Sequence, residues 1–184
     1  MPRELLDKED EINIISDDTI VNLKKLILTT IKEDEVTEYI YWHCQKVLQV
    51  AKEKNGSKEV ARAINLKTLD VLGTVMGELR HVDIDYLVQK MKDTEYVFVV
   101  IHNHPSDMHF SFQDIKTFVN ADNMTILIDL GNNGSVYVLE KTRQLSLNEV
   151  LSIRKELINW KNQLIDFKKV VEQIKAHGIV YSEM

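Results

Sequence analysis

The stretch Val97-Phe98-Val99-Val100-Ile101-His102-Asn103-His104-Pro105 constrains this chain more than any other. Its unbroken apolar run, residues 97–101, rich in β-branched residues, reads as a central strand buried on both faces. Such a strand needs a layer on each side, so the expected architecture is α/β, a mixed sheet with helices against it. Pro105 ends the run because it has no N–H to give to a ladder. Side chains alternate along a strand, so His102 and His104 leave on one face and Asn103 on the other. A carboxylate follows one short loop later, in Ser111-Phe112-Gln113-Asp114. Two imidazole nitrogens on one face and a nearby carboxylate oxygen suit a Zn²⁺ that keeps its fourth position for water.

Each piece has a plainer reading. A single His at a strand end is usually a half-buried polar residue with one hydrogen bond. Ser111-x-x-Asp114 before Ile115, Phe118 and Val119 has the pattern of a helix capping box, which by itself explains Ser111. Neither reading accounts for two His on one face beside a strand-stopping Pro, and together the residues favour a metal site.

His-x-His-Pro followed by Ser-x-x-Asp resembles the signature of the JAB/MPN (JAMM) metalloprotease superfamily. His102-Asn103-His104-Pro105-Ser106 is most similar to its bacterial RadC-like and phage- or mobile-element-associated branches. The resemblance extends from about Ser57 to Lys141. It implies a mixed sheet between helices, related to the cytidine-deaminase fold, with Zn²⁺ on His102, His104 and Asp114. It further implies that Ser111 helps hold the oxyanion and that an upstream Glu serves the metal-activated water as general base and acid. The interval from His104 to Ser111 is one residue shorter than in the commonest form of the motif. The shortening falls in Asp107-Met108-His109-Phe110 and predicts a tightened loop.

Two residues compete for the upstream Glu. Glu59 opens Glu59-Val60-Ala61-Arg62-Ala63-Ile64, a strand candidate just after the turn signal Asn55-Gly56-Ser57. Members of the family often carry their catalytic Glu at such a strand start, so the resemblance points to Glu59. Glu78, in Met76-Gly77-Glu78-Leu79, is closer in sequence to the motif and ranks second. A solvated surface carboxylate is the commonest fate of any Glu.

A chain of 184 residues has room for one sizeable core. No continuous apolar run is long enough to span a bilayer, and the acidic start, Met1 to Glu11, lacks the apolar core of a signal peptide. A cytoplasmic location is the expectation. Cys44 is the only cysteine, which excludes an internal disulfide and the Cys-pair zinc site of nucleobase deaminases. A formal net charge of −6 without a basic block argues against broad nucleic-acid binding.

Periodicity divides the rest. Residues 17–33 are expected to be a helix with Asp17 or Asp18 as cap, and 36–54 a second one ending at Asn55-Gly56. His43 and Cys44, adjacent on that helix, diverge and are read as core or surface residues rather than ligands. Strands are expected at 59–66 and 69–77, with Gly73 and Gly77 marking a bulge or bend, then a helix after Asp83. A helix follows over 111–120. Strands at 124–130 and 135–140 flank the hairpin signal Gly131-Asn132-Asn133-Gly134. Ser146-Leu147-Asn148-Glu149 is a capping box. From Val150 through Ile153, Leu157, Trp160, Leu164, Phe167, Val171 and Ile174 the apolar spacing alternates three and four, predicting one long helix closed by Gly178. Leu151, Ile158 and Ile165 widen its stripe, so it is expected to pack on the N-terminal helices, with a homodimeric coiled coil as the alternative. The organisation expected is a helical extension over 1–56, a JAB/MPN-like metal-hydrolase domain over 57–141, and a C-terminal amphipathic helix over 142–184.

The functional expectation is a zinc-dependent hydrolase of amide bonds, a peptidase or isopeptidase acting on a protein or peptide. One alternative is a catalytically silent JAB/MPN scaffold or binding module. Members of that kind usually lose a ligand, and here His102, His104, Asp114 and Ser111 are all present. The other is a metal-dependent phosphoesterase or nucleotide hydrolase. Such sites commonly gather more carboxylates around two metals. Only Asp107 and His109 are nearby candidates, and both read as exposed loop residues.

Overall fold

A computed structural model describes residues 13–79, 81–92, 97–106 and 109–184. The apolar run becomes strand β3 (Phe98–His104), third in a six-stranded sheet. Its neighbours are β1 (Val60–Asn65), antiparallel, and β4 (Met124–Gly131), parallel. Strand β2 (Val71–Met76) is one edge, and β5 (Val136–Lys141) and β6 (Ile179–Glu183) complete the other side. One parallel pair among antiparallel ones makes the sheet mixed, and the crossover from β3 to β4 runs through helix α4 (Phe112–Asn120).

Alternation along β3 feeds two separate cores. Val99 and Ile101 pack with Leu48, Val47 and Ile40 of helix α2 (Asp34–Asn55) on one face. Phe98 and Val100 pack with Ile115 and Phe118 of α4 on the other, with Leu87 of helix α3 (Asp85–Lys92). The strand is buried on both sides, as an all-apolar run requires.

Two N- and C-terminal expectations are corrected. The expected helix over 17–33 reduces to α1 (Asp17–Val21), and the chain then runs extended to α2. Within that strap Leu23, Leu26 and Leu28 are buried beneath α2's side of the sheet. The backbone N–H groups of Thr29 and Thr30 and both their hydroxyls donate to the buried carboxylate of Glu140 on β5. A helix would have spent those N–H groups on itself and left Glu140 buried without partners.

The expected long C-terminal helix is two helices and a strand: α5 (Leu147–Lys161), α6 (Phe167–Ala176) and β6. Gln163 breaks the run with φ 59, and the Asp166 side chain caps α6 by accepting from the Lys169 N–H. A single helix from 147 to 177 would reach ~45 Å at ~1.5 Å per residue, overhanging the sheet. Folded in two, Ile153, Leu157, Val170 and Ile174 all lie in the core under α4. The C-terminal segment therefore covers the face opposite the N-terminal helices and does not pack on them. Strand β6 then pairs with β5, with Lys141 opposite Ile179. Trp160 and Phe167 meet across the break, ring centroids 5.3 Å apart.

No helix among the described residues is long and apolar enough to cross a membrane.

Candidate metal centre

The carboxyl end of β3 opens into a cleft of about 470 Å³ lined by Glu59, His102, His104, Ser111 and Asp114, with Leu79 and residues 81–85 as its far wall. Gly77 makes that wall possible. A Cβ there would sit 2.4 Å from the His81 carbonyl oxygen and 2.6 Å from the Val82 Cα, so only glycine lets the segment fold back so closely.

Strand parity brings the cluster together. His102 and His104 share the α4 face with Phe98 and Val100. Ala61 on β1 pairs with His102, and continuing that antiparallel register two residues sets Glu59 opposite His104. Glu59 Oε1 accordingly lies 3.5 Å from His104 Nδ1, and Glu59 is buried. Asp114 arrives from the other side through the capping box at the start of α4. Ser111 Oγ accepts from the Asp114 N–H at 3.2 Å, and Asp114 Oδ2 accepts from the Ser111 N–H at 2.7 Å. The same Asp114 Oδ2 lies 3.2 Å from His104 Nε2. The cap and the cluster are thus one feature, since the hydrogen bond that starts the helix also aims the carboxylate at the imidazole.

A fourth group joins from β4. Asp129, fully buried, places Oδ2 3.2 Å from His104 Nε2 and Oδ1 3.7 Å from His102 Nε2. One ligand atom from each of His102, His104, Asp114 and Asp129 falls within 4.8 Å of all the others, a donor set that can hold a metal ion. His102 Nε2 and both carboxylate oxygens of Asp129 are buried without a hydrogen bond of ordinary geometry. Buried polar atoms are rarely left so, and orphans clustered at one point mark a place for a cation. The donor chemistry therefore fits an ion.

Electrostatics lean the same way. Burial would disfavour the His104 imidazolium, but Asp129, Asp114 and Glu59 around it outweigh that and raise its pKa to about 11. Burial lowers His102 to about 4, with Asp114 opposing and the charge on His104 adding to the depression. Burial also lifts the Asp129 carboxyl well above the ordinary carboxylate range, with His104 pulling the other way. For Asp114, burial is outweighed by His102, His104 and the Ser111 side chain, which hold its carboxyl below that range. Surplus negative charge that captures a proton on His104 is what a divalent cation would replace.

The structure brings His102, His104, Asp114, Ser111 and Glu59 to one place and leaves Glu78 outside it. Glu78 is exposed, with Oε2 2.6 Å from Lys58 Nζ. His109, expected in an exposed loop, is half-buried at the cleft rim, its ring stacked on Phe167 with centroids 3.6 Å apart. Asp107 and Met108 of the shortened loop lie outside the described residues. Asp129 was missed by sequence reasoning, although one signal was there: an acid set inside Ile126-Leu127-Ile128-Asp129-Leu130, where a fully buried strand should be apolar. His43 and Cys44 lie in the core on the opposite face, away from the cluster.

Comparison of the chain with protein-family models, with curated proteins and with solved structures returned no match.

Proposed function

We propose that this chain is a metal-dependent hydrolase of amide bonds, a peptidase or isopeptidase of the JAB/MPN kind. The observation that carries the reading is the convergence of Glu59, His102, His104, Ser111 and Asp114 at one strand end, in an open cleft, from separate segments of the chain. In this reading His102, His104 and Asp114 hold a Zn²⁺. Asp129 stands behind the pair of imidazoles with Oδ1 3.7 Å from His102 Nε2, so a small closure on metal binding would make the carboxylate–histidine arrangement that orients metal-bound imidazoles. When bound, the ion supplies a Lewis acid that acidifies water and polarises a carbonyl.

The chain's own residues supply the rest. Glu59, held in the cleft beside His104, takes a proton from water and returns it to the leaving amine. Ser111 Oγ, which accepts the helix-cap hydrogen bond and lines the cleft, turns its hydroxyl to donate to a developing oxyanion, a contact of a kind typically worth ~3 kcal/mol. The cleft, about 470 Å³, is walled on one side by Leu79, Val82 and Ile84, apolar side chains suited to those of a peptide. Among the described residues a single group of this composition occurs, which supports a one-metal hydrolase over a two-metal phosphoesterase.

The test uses zinc-loaded protein incubated with a proteome-derived peptide mixture, new amino termini being read by mass spectrometry. Cleavage that a chelator removes, that zinc restores and that Glu59→Gln lacks is the expected result. Zinc bound tightly with no new termini, in peptide or branched isopeptide mixtures, would overturn the hydrolase reading and leave a binding module.

A further inference from the structure

Asn103 sits between the two metal-site histidines, but its side chain leaves on the opposite face of β3 and is fully buried. There it meets the chain at both ends of Glu59. Its Oδ1 accepts from the Val60 N–H at 2.8 Å, and its Nδ2 donates to the Lys58 carbonyl at 3.3 Å. The same Nδ2 donates to Asn132 Oδ1 at 2.8 Å. Asn132 in turn donates to the carbonyls of Ser57, at 2.8 Å, and of Asn13, at 2.7 Å. The orientation of both amides follows from these partners, because each Nδ2 faces two oxygens and Asn103 Oδ1 faces an N–H.

The segment so held has reason to need holding. Gly56 and Ser57 both have positive φ, 59 and 63, so the chain leaves α2 through two consecutive left-handed residues, one of them not glycine. Ser57 Oγ accepts from the Ile15 N–H, and its carbonyl is the one Asn132 holds. On the far side, Asn55 Nδ2 donates to the Glu59 carbonyl and to the Gly77 carbonyl, each at 2.9 Å. The peptide groups on either side of Glu59 are thereby held by side-chain amides in addition to the backbone bonds of Glu59 N–H to the Glu78 carbonyl, 3.2 Å, and of Gly77 N–H to the Glu59 carbonyl, 2.8 Å.

We infer that Asn103 is a positioning residue, one that sets the Glu59 carboxylate against the metal ligands His102 and His104 on either side of it in the chain. Imidazoles on one face and the amide on the other belong to consecutive residues of one rigid strand. Any movement of the ligands therefore carries the bracket around Glu59 with it, and the distance from Glu59 to His104 is held constant. The inference rests on the metal reading above.

The experiment titrates Co²⁺ into the full-length protein and follows its visible absorption, a signature of the ion's surroundings that needs no substrate. Wild type, Glu59→Gln, Asn103→Leu and the double variant are compared. All should bind one Co²⁺ with affinities within about ten-fold of each other, since His102, His104 and Asp114 are unchanged. Glu59→Gln should shift the bands because the carboxylate lies against His104. Asn103→Leu should shift them in the same direction, and adding it to Glu59→Gln should cause no further change. Should Asn103→Leu fail to fold, Asn103→Thr replaces it: Thr suits a strand and has nearly the same volume but cannot bracket two peptide groups. A spectrum of the Asn103 variant identical to wild type, or shifts that simply add, would overturn the inference. So would a Glu59→Gln spectrum identical to wild type. Wild-type protein that takes up no Co²⁺ would instead remove the metal reading, and this inference with it.

Discussion

His102 on β3 pairs in register with Asp129 on β4, and its Nε2 lies 3.7 Å from the Asp129 Oδ1. The pairing is parallel, so the two side chains project from the same end of the sheet and the same face, where α4 closes over them. A carboxylate fully buried behind two imidazoles is costly unless something compensates its charge. The hydrogen-bond orphans at this point follow from that arrangement.

Asp129→Asn should keep the metal stoichiometry of wild type and weaken zinc affinity by about 10- to 100-fold, the range seen when a carboxylate behind a metal-bound His is lost. Asp114→Asn should cost much more, because it removes a ligand. Competition with a chromophoric chelator measures both. Equal losses for the two variants would show that Asp129 is itself a ligand.

Glu59→Gln is expected to fold and bind zinc as wild type does and to lose about 10²- to 10⁴-fold in turnover, the contribution of a positioned general base. Glu78→Gln, at an exposed carboxylate paired with Lys58, should change neither turnover nor stability measurably. Initial rates on any peptide found by amino-terminal mapping decide the matter. A dead Glu78 variant beside an active Glu59 variant would reassign the base.

Lys141 gives a pH dependence. Its ammonium is buried at the end of α4 and donates to the carbonyls of Phe118 and Ala121, at 2.7 and 2.8 Å. Burial, partly opposed by Asp122, lowers its pKa from 10.5 to about 8. Between those values the unfolded chain keeps a proton that the folded chain has released, so this group's contribution to stability rises with pH across that window. At ~1.4 kcal/mol per unit the rise amounts to about 2–3 kcal/mol. Urea unfolding of wild type and of Lys141→Met from pH 7 to 10.5 isolates it: wild type should gain on the variant as pH increases. A constant or shrinking difference would mean that the ammonium is not strained by burial.

The C-terminal segment should be indispensable to the fold. Ile153, Leu157, Val170 and Ile174 are fully buried against the α4 side of the sheet, and β6 shields the edge of β5. Ile174→Ala should cost about 2–5 kcal/mol. Deleting residues 146–184 should abolish cooperative unfolding and expose the edge of β5 to aggregation. A truncated chain that melts cooperatively as a soluble monomer would show that the segment serves assembly instead.

Where period and punctuation agree, local structure was legible in the sequence. The all-apolar run before His102 could only be a strand buried twice, because neither face has a residue suited to water. The capping boxes at Ser111 and Ser146 start helices where their patterns say, since a cap is a contact between residues three apart and needs nothing from the rest of the fold. The same locality let strand parity put His102 and His104 on one face.

Other features depend on contacts between distant parts of the chain. Apolar spacing from 150 to 174 describes a helical face but not where the helix must bend, which the width of the sheet and the cap at Asp166 decide. Leu23, Leu26 and Leu28 fit a helix in spacing, yet Glu140, more than a hundred residues later, draws the N–H groups of Thr29 and Thr30 into an extended strap. Asp129 joins the candidate site through the register of β4 on β3, and Glu59 through the register of β1. The sequence by itself determined that His102 and His104 leave one face of a strand and that Asp114 caps the next helix. Only the tertiary structure decided which carboxylates meet the imidazoles, because register and crossover are settled by the burial of whole faces, a property no short window of residues contains.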